Sequence, residues 1–284
     1  MHIRTAENRE IRCVRALLFA LALVFALLMS GEARAETSGM LRVKLTRLGA
    51  PKAIVLEPDC DYCLASDDAV RLVAGEKATL TASEDGLTLT VGDERKELGE
   101  TALFMRTESG NQGVRFLQPE LSNRFCGDLG FSASGGFITA ILNIYIENYL
   151  YGVVGYAMPP SAGLEALKAE AVAARTWALR RKGAHSDGIY DLTDTGEQVF
   201  KGYSSSSDYA DVVRAVDETR GGTLYYGGAL AQCCVCASNG GQTESIKNAW
   251  GTSGLDYLGV KDDPYDLTNP DSRKVSFSVS ASGA

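Results

Sequence analysis

The sequence predicts an α+β fold, in which a strand-rich N-terminal part is followed by a helical core packed on further strands. Over about residues 40–145, segments such as "RVKLTRL" and "LTLTV" alternate apolar and polar residues, which is the period of a half-buried strand. Turn signals rich in glycine separate these segments. From about Glu147 onward, apolar residues recur every three to four positions instead, which indicates helices.

The elements on either side of this change are the most regular. "FITAILNIYI" is a long apolar stretch rich in isoleucine, and it is typical of a central strand. "ENYLYGVV" follows it and predicts a helix with Tyr149, Leu150, Val153 and Val154 on one face.

A central helix is predicted at about residues 161–182. Ser161 is the predicted N-cap, and Gly183 fits the position just beyond the C-terminal end. Alanines recur on the face predicted to be buried, so we expect a neighbouring element to pack very closely against this helix.

The rest of the chain predicts shorter elements. A third helix is expected from Ser207 to Thr219, and a hairpin that turns at Gly227-Gly228 is expected after it. "NGGQTES" predicts a glycine-rich loop, and the stretch that begins at "NAWG" predicts mostly irregular structure. The chain stops at "SFSVSASGA" in the pattern of a strand, so we expect a truncated C-terminal element.

The first 35 residues have the three parts of a secretory signal. Arginines precede an unbroken apolar run at residues 16–29, and Ala33 and Ala35 supply the small residues of a cleavage site. An uncleaved membrane anchor formed by residues 16–29 is the alternative. We therefore expect residues 36–284 to be an exported domain outside the cytoplasmic membrane, with a motif-bearing part at about residues 146–284.

Charge restricts the partners of this exported part. The formal net charge of the chain is −8, with 28 Lys and Arg against 36 Asp and Glu. Residues 1–35 contain 5 arginines and 3 glutamates, so the remainder has 23 against 33 and a charge of −10. Such a surface disfavours nucleic acid and anionic lipid. A neutral sugar polymer or a protein partner is compatible with it.

Six cysteines lie beyond the signal, and an exported location permits disulfides. "CDYC" alone is compatible with a loop disulfide, a redox pair or half a zinc site. Structural disulfides or plain buried thiols are the favoured interpretation. The six are Cys60, Cys63, Cys126, Cys233, Cys234 and Cys236.

Seven motifs in order carry a resemblance to a known family. They are "YIENYLYGVVGYAMP", "LEALKAEAVAARTWAL", "YDLTDTGEQVFKGY", "AVDETRGGTLYYGG", "ASNGGQTES", "NAWG" and "YLGVKDDPYD". Together they resemble the stage II sporulation protein D family, also known as the SpoIID/LytB or amidase-enhancer domain, over about residues 140–267. The resemblance implies a cell-wall setting, in which sporulation members act outside the membrane as lytic transglycosylases. These members cleave glycan strands whose stem peptides an amidase has removed, and other members enhance such amidases.

The resemblance also implies where the catalytic acid belongs. In the family, a glutamate directly before "MP" protonates the leaving glycosidic oxygen and then accepts the proton of the muramic 6-hydroxyl. This chain has Ala157 there, and a methyl group transfers no proton. Glu147, Glu165 and Glu170 lie nearby and are interpreted as solvated or capping charges, so no catalytic residue is assigned.

The predicted glycan groove combines residues from several motifs. Arg175 has an equally supported alternative role in a structural ion pair. The stretch from Ser238 to Glu244 has a tight loop, fixed by Thr243 and Glu244, as its alternative, and for Trp250 a position in the core is favoured over stacking on a sugar. The predicted groove residues are Tyr156, Met158, Arg175, Gln198, Ser238, Gly240, Gly241, Thr243, Glu244 and Trp250.

No metal or cofactor is expected. Some family members bind zinc through Cys and His before the "Q-V-Y" motif, whereas this chain has Thr193, Thr195, Gly196 and Glu197 there. The sequence thus predicts an exported cell-wall protein that binds peptidoglycan strands or assists an amidase, with weak or no catalysis. An active lytic transglycosylase with a relocated acid is the alternative, and a purely structural component of an engulfment complex is a third hypothesis.

Overall fold

The structure is a computed structural model that describes residues 39–184, 188–196 and 198–268. The predicted signal or anchor and the predicted C-terminal strand lie outside these residues. Within these three ranges, no helix is both long enough and apolar enough to cross a bilayer. The chain divides into two compact units, Met1–Cys233 and Cys234–Ala284.

Strands dominate the first part of the first unit, and helices follow them. The strands are β1 (Met40–Lys44), β2 (Ala53–Pro58), β3 (Tyr62–Leu64), β4 (Asp67–Leu72), β5 (Ala78–Ser83), β6 (Gly86–Val91), β7 (Glu94–Gly99), β8 (Thr101–Arg106), β9 (Val114–Gln118), β10 (Glu120–Phe125), β11 (Asp128–Ser134), β12 (Phe137–Tyr145), β13 (Leu192–Thr193), β14 (Tyr225–Tyr226) and β15 (Ala229–Leu230). The helices are α1 (Ile146–Ala157), α2 (Leu164–Arg181), α3 (Ala210–Glu218) and, in the second unit, α4 (Ile246–Trp250). Short 3-10 helices cover Thr46–Leu48, Pro160–Ala162, Ser207–Tyr209 and Asp266–Thr268.

Two larger sheets organise the strands, and the predicted α+β fold is confirmed. The first sheet has the order β13-β1-β12-β11-β8-β3-β4, and the second has the order β10-β9-β2-β5-β6-β7. β12 is a central strand as predicted, since it pairs antiparallel with β1 on one side and with β11 on the other. β12 alternates buried and half-buried residues, and its buried side includes Leu142 and Ile144. The predicted hairpin at Gly227-Gly228 is the β14–β15 pair.

The helical part starts directly from the end of β12. α1 buries the face that was predicted, including Tyr149 and Val154. Because only residues 158–163 separate α1 from α2, and because Glu147 at the start of α1 contacts Arg175 late in α2, the two helices run antiparallel. The alanines of α2 at positions 171, 174 and 178 are fully buried, which confirms that this helix packs closely against its neighbours.

Three boundaries differ from the predictions. α2 starts at Leu164 after Gly163, not after Ser161, because a 3-10 turn at Pro160–Ala162 takes up the expected first residues. α3 likewise begins at Ala210, after a 3-10 turn over Ser207–Tyr209. The "NAW" stretch, expected to be irregular, ends the short helix α4, whose N-cap Ser245 accepts a hydrogen bond from the backbone of Asn248.

Candidate functional site

The candidate site lies at the corner between α1 and α2, where the sequence analysis places the family's acid. Ala157 is the last residue of α1, and it is exposed. Met158 ends the helix in an extended conformation, as expected before Pro159, and its N–H donates to the carbonyl of Val154 at 3.0 Å. Tyr156 is 48% exposed, whereas Met158 is half-buried against the core. This α1–α2 corner therefore presents an aromatic ring and a methyl group to solvent.

The segment from Gln198 to Lys201 contacts both helices of this corner, α1 and α2. Gln198 lies between them, since it accepts a hydrogen bond from the hydroxyl of Tyr149 in α1 at 3.3 Å and donates to the carbonyl of Ala174 in α2 at 3.2 Å. Lys201 ends the segment with its ammonium 4.0 Å from the centre of the Tyr156 ring. Gln198 thus holds the segment in place, and Lys201 adds a positive charge beside the corner.

Two glycines of α1 allow this close approach. A Cβ at Gly152 would lie 2.6 Å from the ring of Phe200 and 2.8 Å from the backbone nitrogen of Gly202. A Cβ at Gly155 would lie 2.4 Å from the ring of Tyr209, whose hydroxyl donates to the carbonyl of Gly155 at 3.1 Å. Both separations are shorter than real side chains tolerate, so any larger residue must displace the Gln198–Lys201 segment or Tyr209.

Gly152→Ala is therefore expected to destabilise the protein by about 1–3 kcal/mol, because the added methyl overpacks the contact with Phe200. Urea unfolding measures the change. Gly130→Ala is the matched control, since the nearest atom to its added Cβ is 3.5 Å away. Equal losses in the two variants would contradict this role for Gly152.

Two buried aspartates hold the residues that come just before the Gln198–Lys201 segment. Asp194 is fully buried and accepts hydrogen bonds from the backbone and hydroxyl of Thr46, at 2.7 and 2.6 Å, and from Arg47 at 3.0 Å. Asp191 accepts hydrogen bonds from Arg42 and from the backbone of Gly183. Burial favours a higher pKa for Asp191, but the hydrogen bonds from Arg42 and Gly183 outweigh it and hold the pKa below its ordinary value.

Neither aspartate was among the predicted site residues. The signal was present in "DLTD", where two acids flank the short strand β13, but their arginine and threonine partners are about 150 residues away in sequence.

Glu147 and Arg175 form a buried ion pair, and both side chains are 1% exposed. The guanidinium donates to both carboxylate oxygens at 2.7–3.2 Å, and it also donates to the carbonyl of Gly222 at 3.0 Å. The interpretation of Glu147 as a solvated or capping charge is wrong, because α2 and the residues that follow α3 enclose it. Arg175 has the ion-pair partner that its alternative interpretation required, while its contact with glycan stays a prediction.

Glu165 and Glu170 differ sharply although both lie on α2. Glu165 is 84% exposed and pairs with Lys168, as expected for a solvated charge. Glu170 is only 7% exposed, and among the described residues it has neither a hydrogen-bond partner nor an ion-pair partner. The interpretation of Glu170 as solvated or capping is wrong. Burial alone raises the pKa of Glu170 to about 7.

This raised pKa predicts a pH-dependent stability. An ordinary carboxyl pKa of 4.5 in the unfolded chain and a value of about 7 in the fold mean that the contribution of Glu170 is fully present below pH 4.5 and is lost as pH rises to 7. Glu170→Gln cannot ionise, so we expect it to exceed the wild type in stability by about 3 kcal/mol at pH 8 and to match it near pH 4. Urea unfolding at both pH values measures this difference. A difference that is the same at both would contradict the assignment.

The second unit contains the other predicted groove residues. Asp266 accepts hydrogen bonds from the hydroxyl of Ser238 at 2.6 Å and from the backbone of Asn239 and Gly240 at 3.0 and 2.7 Å. The backbone of Gly241 donates to the side chain of Asn239 at 2.9 Å. Residues 238–241 thus form a tight loop, as in the alternative interpretation, and Asp266 is a main fixing residue that the sequence analysis missed.

The end of this loop is held by its own side chains. Thr243 donates to the carbonyl of Gly259 at 3.0 Å and accepts from the backbone of Lys261 at 2.8 Å. Glu244 accepts from the backbone of Ser245, and that bond is the main reason that its pKa lies below the ordinary value. A carboxyl that stays ionised is unsuited to be a general acid.

Trp250 is 65% exposed, so the interpretation that it belongs to the core is wrong. Its stacking on a sugar stays a prediction.

Two of the cysteines are plain buried thiols. Cys60 and Cys126 are buried free thiols, and desolvation raises the pKa of Cys60 to about 11 and of Cys126 to about 12. Such thiols are poor nucleophiles and poor redox groups, which supports the buried-thiol interpretation for this pair. Over residues 39–184, 188–196 and 198–268, no three His, Cys, Asp or Glu residues are grouped as a metal site would need. The expected absence of zinc stays a prediction.

Part of the chain is similar to known proteins. The family described as "SpoIID: Stage II sporulation protein" matches residues 134–226, which include α1, α2 and the Gln198–Lys201 segment. The "Amidase enhancer" of Bacillus subtilis (strain 168) is 40% identical over 117 residues, which cover 41% of this chain and 15% of that protein. Residues 134–226 of this chain are therefore similar to the SpoIID/LytB family.

Two further relatives extend the similarity. The "Stage II sporulation protein D" of Bacillus amyloliquefaciens is 33% identical over 149 residues, 46% of this chain and 42% of that protein. An uncharacterized protein of Brachyspira hyodysenteriae is 33% identical over 226 residues, 78% of this chain and 57% of that protein. The matched residues thus make up from 15% to 57% of the length of these three relatives.

Proposed function

We propose that this protein is an exported cell-wall protein that binds the glycan strands of peptidoglycan and cleaves them weakly or not at all. The observation that supports this proposal is Ala157, an exposed methyl group at the end of α1. The resemblance to the SpoIID/LytB family places the catalytic glutamate at this position. An exposed position beside an aromatic ring suits contact with a polymer, whereas a methyl group has no proton to give.

The groups around Ala157 suit a neutral sugar. Tyr156 offers an aromatic face to the apolar side of a pyranose ring, and its partly exposed position leaves room for one. Lys201, over the same ring, is positioned to donate hydrogen bonds to sugar hydroxyls. In the second unit, exposed Trp250 offers a further stacking surface.

The names of the relatives support the setting. "Stage II sporulation protein D" and "Amidase enhancer" both point to a role in sporulation or in the cell wall. A cell-wall amidase is the proposed protein partner, because strands without stem peptides are what such an enzyme leaves behind. The charge of −8 on the whole chain is compatible with a neutral polymer.

Cosedimentation with glycan strands that lack stem peptides tests the binding. We expect the purified protein to be retained, and we expect Tyr156→Ala to weaken retention at least about 5-fold, since one stacking contact contributes about 1 kcal/mol. Tyr225→Ala is the matched control, because Tyr225 is also exposed but lies in the β14–β15 hairpin. No retention of the wild type, or equal weakening in both variants, would contradict the proposal.

A further inference from the structure

We propose that Glu170 is the group that transfers the proton in any residual strand cleavage by this protein. The inference rests on the proposed function, and it assigns a catalytic role to a residue outside the motif that carries the family's acid. Its basis is the state of the carboxyl and its place beside the α1–α2 corner.

Glu170 differs from the other buried carboxylates. Four carboxylates are buried among the described residues: Glu147, Glu170, Asp191 and Asp194. Each of the other three forms an ion pair with an arginine. Within the described part of the chain, Glu170 has no hydrogen bond and no ion pair, and it keeps 7% exposure. A carboxyl without a counter-charge stays neutral to a higher pH, and a general acid must be neutral before it acts.

Helix geometry brings Glu170 close to the level of the corner along the helix axes. The contact between Glu147 and Arg175 gives the two helices a common starting level. From that level, α1 continues ten residues to Ala157, a rise of about 15 Å. In the same direction, Glu170 lies five residues from Arg175 on α2, a distance of about 8 Å. The levels of Glu170 and Ala157 thus differ by only about 7 Å along the helix axes. Side chains of a helix tilt toward its N-terminus, which for α2 is the end at the corner.

The Gln198–Lys201 segment links the two places. Glu170 and Ala174 are four residues apart and share a face of α2. Gln198 contacts that helix at the carbonyl of Ala174, and Lys201 lies over Tyr156, the neighbour of Ala157. In the proposed complex, a strand bound at the corner between Tyr156 and this segment passes the side of α2 that carries Glu170.

One carboxyl is sufficient for the proposed step, because it gives a proton and then takes one back. Neutral Glu170 gives its proton to the glycosidic oxygen as the bond from that oxygen to C1 of the muramyl residue breaks. The 6-hydroxyl oxygen of the same residue forms the new bond to C1, and its proton passes to the Glu170 carboxylate. The acid returns to its starting form, and neither water nor a second carboxylate is consumed.

The test uses the purified full chain, glycan strands without stem peptides, and mass spectrometry of 1,6-anhydro ends. We expect slow product formation that falls as pH rises above about 7, and a loss of at least about 10-fold in Glu170→Gln. Glu165→Gln is the matched control on the same helix and should keep the wild-type rate. In an Ala157→Glu background, Glu170→Gln should change the rate less than about 2-fold, which a merely structural role would not produce.

Three results would overturn the assignment while strand retention persists. They are the absence of product from the wild type, an unchanged rate in Glu170→Gln, and a flat pH profile. Loss of strand retention itself would instead contradict the proposed function, so the two failures are distinguishable.

Discussion

Replacing Ala157 by glutamate is expected to raise the rate of 1,6-anhydro product formation by about 10²- to 10⁴-fold, which is the usual contribution of a positioned general acid–base group. The new carboxyl would stand at the exposed end of α1 beside Tyr156, the position that the family resemblance assigns to the acid. Initial rates with strands that lack stem peptides measure the gain. Binding should change little, because the substitution adds no stacking surface.

Ala157→Gln is the control for this gain of function. Glutamine has nearly the same shape but no acidic proton, so we expect no increase over the wild type. Equal gains in both variants would show that side-chain volume, not proton transfer, limits the reaction. No gain in Ala157→Glu, in a folded protein that retains strands, would contradict the placement of the site at the α1–α2 corner.

Arg175→Ala is expected to destabilise the protein by about 3–5 kcal/mol, because it leaves the Glu147 carboxylate buried at 1% exposure without a counter-charge. It also removes the donor to the carbonyl of Gly222, so one of the hydrogen bonds between α2 and the residues after α3 is lost. Urea unfolding near pH 7 measures the change. A loss of this size is a large fraction of the stability of a typical domain.

Arg214→Ala is the matched control, since Arg214 is 58% exposed and pairs with Glu218 four residues away on α3. Such a surface pair contributes only about 0.3–0.5 kcal/mol. The double variant Glu147→Leu/Arg175→Met should lose less than Arg175→Ala alone, because it leaves no unpaired charge in the interior. Similar losses for Arg175→Ala and Arg214→Ala would contradict a structural role for the buried pair.

The fold was largely predictable because its signals are local. The alternation that defines β12 and the helical face of α1 both depend on residues a few positions apart. The start of α2 was less predictable. Ser161 and Gly163 both suit an N-cap, and a 3-10 turn at Pro160–Ala162 decides between them through the connection to α1.

The site was predictable only in part, because burial and pairing depend on distant residues. Nothing near Glu170 in sequence distinguishes it from Glu165, yet one is buried and the other is 84% exposed. Their difference follows from the tertiary packing of α2, which buries Glu170 together with Ala171 and Ala174. The partner of Arg175 is 28 residues away, and the partners of Asp194 are almost 150 residues away. Such pairings arise from the tertiary fold and leave no mark in local spacing.

The most direct test of the central claim follows bound strands over time with the wild-type protein. Strand length and 1,6-anhydro ends are measured by mass spectrometry on the retained fraction, with Ala157→Glu run in parallel. We predict that the wild type retains strands whose length stays nearly constant while the Ala157→Glu variant shortens them. Shortening by the wild type at the rate of the variant would contradict the account, because a methyl group at position 157 would then be no obstacle to cleavage.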